Sequence, residues 1–310
     1  MTRDAFIAAA AGLLSALLLT TVATGAPGMV LFALFSQVPI FVVGLGLGSK
    51  LAVVAAASGL VVTGIYAGAF TGAFYLVVFA GPAVILSAMA LRHRQGEDGA
   101  TIWYPADRLL GWIVVMAAVA LAAIWLDASD AEGGLRGIIE RLLADVVQQM
   151  PESPLRESMT TWFDVVAPRL PAIMATAWVV LTAANGALGQ WAARRLGRAL
   201  RPAPDFADIQ APGWAFYALA AAAAIGLLIG NGIGFLGGNL APLFAIPFFF
   251  VGLAVVHAYA RRSQARGMVL AVFYMLLIML GFVAMVIVAV LGIAESFANW
   301  RQRLQRPSTT

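Results

Sequence analysis

Residues 239–260 read NLAPLFAIPFFFVGLAVVHAYA, with no Asp, Glu, Lys or Arg among them. A helix of about 20 apolar residues is long enough to cross the hydrocarbon core of a bilayer. Stretches of the same character recur on both sides of this one, at 5–24, 29–48, 51–69, 71–91, 109–126, 171–193, 213–230 and 268–294. Short breakers separate them, such as Gly25-Ala26-Pro27-Gly28, Gly48-Ser49-Lys50 and Gly237-Gly238. The expected fold is therefore all-α: a polytopic transmembrane helical bundle, a single membrane domain of eight or nine spans over 1–310.

Composition points the same way. Of the 310 residues, 62% are hydrophobic and 11% charged, and the mean hydropathy is +0.91. Soluble domains carry roughly a quarter charged residues. A water-soluble enzyme, a nucleic-acid binder and a disordered chain are thus excluded as readings. The net charge of +4 comes from basic residues set in short loops, which is the pattern that orients membrane proteins. Cysteine is absent and only His93 and His257 are present, so no disulfide or thiolate site exists and no cofactor is expected.

With Arg3 in the cytoplasm, Lys50, Arg92, Arg94, Arg108, Arg194, Arg195, Arg198, Arg201, Arg261, Arg262 and Arg266 all fall on the cytoplasmic side. The ninth span breaks this rule, because it would put Arg301, Arg303 and Arg306 outside. Either the tail is outside or one candidate is re-entrant. The expected location is a bacterial inner membrane with the N-terminus cytoplasmic. Arg3 before an apolar run resembles a signal peptide, but Asp4 and the length of the run favour a retained first span.

The long insert 127–170 carries eight acids and four arginines. Leu135, Ile138, Ile139, Leu142, Leu143, Val146, Val147 and Met150 recur at helical spacing, with Arg136–Glu140 and Arg141–Asp145 as i,i+4 pairs. Ser153-Pro154 then opens a second amphipathic helix with Leu155, Met159, Trp162, Phe163 and Val166 on one face. Two short outer-surface helices are expected, lying on lipid or covering the bundle.

No charged residue lies inside the spans, which argues against ion-coupled pumps and membrane proteases. No enzyme activity is expected. Neutral polar residues remain. Ser36 and Gln37 precede Pro39, whose missing N–H frees a carbonyl, and Asn185 and Gln190 form a second group. Ser36, Gln37, Asn185 and Gln190 are the candidate polar pocket, with bonding between neighbouring helices as the plainer reading. His257 and Tyr259 read as interfacial anchors, and Glu97-Asp98 as a solvated loop.

The last sixty residues carry a further pattern. Pro247-Phe248-Phe249-Phe250-Val251-Gly252-Leu253 leads to Arg261-Arg262, a final apolar span, and then Leu291-Gly292-Ile293-Ala294-Glu295-Ser296-Phe297 with Arg301 and Arg303. This resembles the YybS-like family of bacterial membrane proteins of unknown function. Gly292, Glu295, Phe297, Arg301 and Arg303 carry the signature, with Glu295 where Asp is expected. The family is similar at fold level to the substrate-binding membrane subunits of energy-coupling-factor transporters. That likeness implies a small-residue face for a coupling partner, which Ala5, Ala9 and Gly12–Ala16 could supply. The expected partners are the lipid bilayer, a small-molecule solute, and a membrane protein or a second copy, with no nucleic acid. Two functions follow: a solute-binding or transport-associated membrane component, or a structural or accessory membrane protein.

Overall fold

The computed structural model describes residues 2–26 and 28–301. The helices in chain order are α1 (Arg3–Thr20), α2 (Met29–Ala33), α3 (Val38–Leu47), α4 (Ser49–Ala67), α5 (Ala69–Tyr75) and α6 (Gly81–Ala90). A short antiparallel hairpin follows, β1 (His93–Gln95) with β2 (Thr101–Trp103). Then come α7 (Ala106–Asp127), α8 (Gly134–Gln148), α9 (Pro154–Val166), α10 (Leu170–Arg195), α11 (Ala215–Leu228), α12 (Asn231–Ala260), α13 (Arg266–Leu280) and α14 (Phe282–Ala298). The architecture is an all-α polytopic membrane bundle. Among the described residues, seven helical stretches are long and apolar enough to cross a membrane: 3–20, 29–47, 49–67, 69–90, 106–130, 154–195 and 231–260.

Two candidate spans come out differently. The stretch 213–230 holds a helix of 14 residues, Ala215–Leu228. The stretch 268–294 is two helices, parted at Gly281 with φ 51° and ψ −122°. That conformation is open to glycine and strained for any L side chain, so the apolar run continues where the helix cannot.

The contacts fall into two units, 1–113 with 180–204 and 114–179 with 205–310. In the first unit α1 starts at Thr2, whose Oγ1 accepts from Ala5 N, and packs along α4. Gly12 lies against the Ala55 carbonyl and Ser58, and Ser58 Oγ donates to Ala9 O at 3.0 Å. Ala8, Gly12, Ser15 and Ala16 are buried, so most of the small-residue face of α1 is occupied inside its own unit. The polar loop 92–104 is the hairpin; Asp98 Oδ1 accepts from Ala100 N and shapes its turn.

In the second unit α8 and α9 form as the pattern predicts, with Ser153 Oγ accepting from Arg156 N at the start of α9. The buried line of α8 is narrower than the apolar stripe. Leu135 is buried in a cluster with Leu121 and Ala128, against which Ile138, Ile139, Phe235 and Leu236 pack. Leu142 and Val146 stay 60% and 51% exposed, because the stripe is wider than the surface the helix rests on. Arg136 pairs with Glu140 at 2.7 Å. Arg141 instead donates to Glu132 O, so the expected Arg141–Asp145 pair gives way to a bond onto the turn that precedes the helix.

The other core of this unit joins α12 to α14. Phe249, Leu253, Val288 and Ala289 are buried together, with Phe206, Phe273, Leu277 and Met285 against them. Gly252 meets the backbone of Val288, and Gly292 that of Phe248 and Gly252. Indices rise along one helix as they fall along the other, so the two run antiparallel. A Cβ at either glycine would collide with main chain, which explains both residues by close packing.

Candidate functional site

Two prolines and a broken helix build the polar group of the first unit. Pro39 has no N–H for Phe35 O, which takes Val38 N at 3.0 Å instead. Leu34 O thereby loses its helical donor and accepts from Asn185 Nδ2 at 2.8 Å. Pro82 has no N–H to complete an α-helical bond, and the chain before it runs as a π-helical turn, Leu76–Ala80. Gln37 Nε2 reaches across to Val78 O and Phe79 O at 3.4 and 3.3 Å. Asn185 Nδ2 also donates to Gln37 Oε1 at 3.3 Å. Alongside, Tyr75 Oη donates to Ser15 Oγ, which donates to Ser36 O.

The structure thus joins Gln37 and Asn185 in one buried network, while Ser36, buried beside it, is bonded through its main-chain carbonyl to Ser15. Gln190 stands apart: its Nε2 donates to Arg201 O at 2.9 Å. The side-chain oxygens Ser36 Oγ, Ser87 Oγ, Thr182 Oγ1 and Gln190 Oε1 are buried with no bonding partner. The Asn185 amide is spent on the Leu34 carbonyl that Pro39 released and the Gln37 amide on carbonyls of the π-helical turn, and their placement is that of helix-to-helix bonds.

The carboxyl end gives the other group. Glu295 is 3% exposed. Its Oε1 accepts from Arg301 Nε at 2.9 Å and Arg301 N at 3.1 Å, and its Oε2 from Trp300 N at 3.0 Å. Asn299 makes this possible. It sits at φ 50° and ends α14, folding the next two residues back over the carboxylate. Arg301 Nη1 donates onward to Ala207 O. Gly292 is the close contact with α12, whereas Phe297 is 67% exposed and touches Phe216 edge-on. Arg303 lies outside the described residues.

Between this end and the chain at 207–211 lies a half-open pocket of about 230 Å³. Asp208, Gln210, Glu295, Ser296, Asn299 and Arg301 supply its polar walls. Glu295 and Arg301, with Ser296 and Asn299 between them, therefore build one side of a cavity, and the segment after Asp205 builds the other. Nothing in the linear pattern marked 207–211; its loop composition is ordinary, and only the fold sets it beside α14.

The rim is tied by Asp205, whose carboxylate accepts from Arg261 Nη2 and Nη1 at 2.6 and 2.9 Å and from Ala207 N at 2.9 Å. The Arg261 bond, then the Ala207 N–H, hold the Asp205 carboxyl down at about 2, and Asp205 in turn pushes Arg261 up. His257 bonds Tyr274 Oη at 2.8 Å and stacks edge-on with Phe206, so it is a packing group of α12; Tyr259 is half exposed.

Two further polar residues have buried roles that the sequence did not mark. Asn239 bridges the start of α10, accepting from Ala172 N at 2.9 Å and donating to Pro168 O at 3.0 Å. Arg201 is buried, donates to Ala90 O at 2.9 Å and Tyr104 O at 3.3 Å, and lies over the Trp103 ring. Burial lowers its pKa. Among the described residues no group of three His, Cys, Asp or Glu could hold a metal ion.

Residues 12–296 match the family described as "Predicted membrane protein (DUF2232)". No curated protein and no solved structure matches the chain.

Proposed function

The chain belongs to this family of predicted membrane proteins (DUF2232), and from that starting point we propose that it is a solute-binding, transport-associated component of a bacterial inner membrane. The observation that carries the reading is the pocket of about 230 Å³ walled by Asp208, Gln210, Glu295, Ser296, Asn299 and Arg301. At about 230 Å³ the cavity admits only a small molecule, and its lining is mostly polar where most ligand pockets are lined by apolar groups. Its walls offer both charges and two amides, which suits a small polar solute. The carboxylate of Glu295 is committed to three N–H donors, so it orients and neutralises rather than serving as a free base. The reading is of a binding protein without enzymatic chemistry.

The YybS-like resemblance and the fold-level likeness to substrate-binding subunits of energy-coupling-factor transporters support the same class, as analogy. The N-terminus lies in the cytoplasm on this reading, from the arginine asymmetry of the loops. The alternative, an accessory protein that holds partners through small-residue faces, is less well supported. Gly12, on the α1 face that the likeness marks for a partner, is used in a contact with α4 inside its own unit.

The test is the small-molecule content of the detergent-extracted protein, read by mass spectrometry after denaturation, for the wild type and Gln210→Trp. Gln210 is exposed, so tryptophan there fills the pocket without disturbing a core. A polar small molecule released by the wild type and lost from the variant is expected. Identical content in both, or none in either, overturns the reading.

A further inference from the structure

We infer that α8 and α9 form a docking surface for zwitterionic lipid: a helical hairpin that lies on the bilayer beside the spans it joins, held by its apolar faces and without a grip on lipid phosphates. The inference does not depend on the solute-binding reading.

The apolar faces are larger than anything the protein covers. On α8, Leu135 is buried in the cluster with Leu121 and Ala128. Leu142 and Val146, two and three turns further along the same stripe, are more than half exposed. On α9 no residue is buried, and Leu155 and Trp162, two turns apart at the centre of its apolar face, are more than half exposed as well. Large apolar side chains left open at the centre of two amphipathic stripes mark a surface with a partner.

The position of the hairpin names the partner. The cluster that α8 joins lies below the ends of the spans. It includes Leu121, about 9 Å before α7 ends at Asp127, and Leu240 packs against it about 14 Å into α12. At the end of α9, Asn239 is spliced into the helical bond between Ala172 N and Pro168 O, accepting from the one at 2.9 Å and donating to the other at 3.0 Å. A side chain inserted in the ladder bends a helix there, which turns α9 off the axis of α10. The open turns of α8 continue from its contacts past the flanks of α7 and α12. Interfacial helices seat their apolar faces about 5–10 Å into the headgroup and acyl boundary, and lipid covers the flanks of the spans beside them.

Charge decides how the hairpin holds. Eight acids against four arginines give 127–170 a net charge of −4. Each arginine is engaged within the insert: Arg136 with Glu140 at 2.7 Å, Arg156 with Glu152 at 4.0 Å, Arg141 with Glu132 O and Arg169 with Val165 O. Anionic membranes are bound through unspent basic residues, so this acidic hairpin has no attraction for them. An apolar contact is also insensitive to the screening that salt imposes on exposed charges.

The chain has no cysteine, so an environment-sensitive fluorophore can be attached at one site at a time. Leu142→Cys and Leu155→Cys carry it on the open stripes, Ala144→Cys and Asp164→Cys on the opposite faces; all four positions are exposed, so the label disturbs no core. Each labelled full chain is placed in nanodiscs, one copy per disc, of phosphatidylcholine with or without a nitroxide on the acyl chain. The Leu142→Cys and Leu155→Cys labels are expected to emit to the blue of the other two and to lose most of their emission to the nitroxide and little to aqueous iodide. The Ala144→Cys and Asp164→Cys labels should do the reverse, and molar salt should leave the nitroxide quenching unchanged. A stripe label open to iodide and untouched by the nitroxide overturns the inference and points to a partner protein or a second copy, absent from the disc. A stripe label reached by neither quencher overturns it too, since the rest of the chain then covers the stripe. Stronger nitroxide quenching when phosphatidylglycerol replaces part of the lipid, or its loss in salt, overturns the apolar mode of holding.

Discussion

Replacing Glu295 with Gln and Arg301 with Gln, singly and together, probes the contact that holds the carboxyl end in place. The carboxylate is 3% exposed and the arginine side chain 11%, so solvent screens the pair little. Three N–H groups converge on the carboxylate, from Arg301 Nε, Arg301 N and Trp300 N. A hydrogen bond to a charged group contributes about 1.5–3 kcal/mol net. Glutamine keeps one acceptor oxygen and turns the other position into a donor facing a donor, so at least one bond is lost and one contact becomes repulsive. The guanidinium is also left without its counter-charge. Breaking a buried pair from one side costs about 3–5 kcal/mol, and we expect about 3 kcal/mol for each single change. The double mutant removes both charges and leaves neither stranded, so it should be scarcely worse than either single one, a coupling of about 2–3 kcal/mol. At about 2–4 °C per kcal/mol, each variant should melt about 6–12 °C below the wild type. Thermal unfolding of the detergent-solubilised protein, followed by intrinsic tryptophan fluorescence, gives the four values needed. Single effects below about 1 kcal/mol that add in the double mutant would match exposed charges held by lipid phosphates and would refute the buried-pair argument.

Asn185→Leu leaves Leu34 O and Gln37 Oε1 without donors inside the first unit. Each unsatisfied buried group costs about 1–3 kcal/mol, so thermal stability in detergent should fall by several degrees, and a wild-type melting temperature would mean that these bonds do not hold the broken helix. The pH dependence should show a small acid limb from Asp205. Its carboxyl is held down at about 2 from 3.8, so its contribution is complete above pH 3.8 and is lost as pH falls through 2. Because both partners are more than two-fifths exposed, the loss should be only about 0.2–1 kcal/mol; melting temperature measured against pH should flatten in that window for Asp205→Asn, and an unchanged acid limb would count against the pair.

The bundle was legible in the linear chain because membrane insertion is read locally. A run of about 20 uncharged residues must become a helix in lipid, whatever its neighbours do, since its backbone has no other bonding partner. The amphipathic insert was legible for a similar reason, its period being a property of one helix, as were the cap at Ser153 and the Arg136–Glu140 pair. Hydropathy could not reveal the break at Gly281, because an apolar run looks the same whether its backbone continues straight or turns. The partners of the polar residues also lay beyond it. Gln37 and Asn185 are 148 residues apart, and their bonds go to the Leu34 carbonyl freed by Pro39 and to carbonyls of the π-helical turn at Leu76–Ala80, which only packing brings within reach. The same holds at the carboxyl end. Glu295 and Arg301 were marked by their own positions, but the pocket they line needs 207–211 as its second wall, nearly ninety residues away in sequence. Local chemistry settles which segments enter the membrane; long-range packing settles which polar groups meet there and where a cavity is left between them.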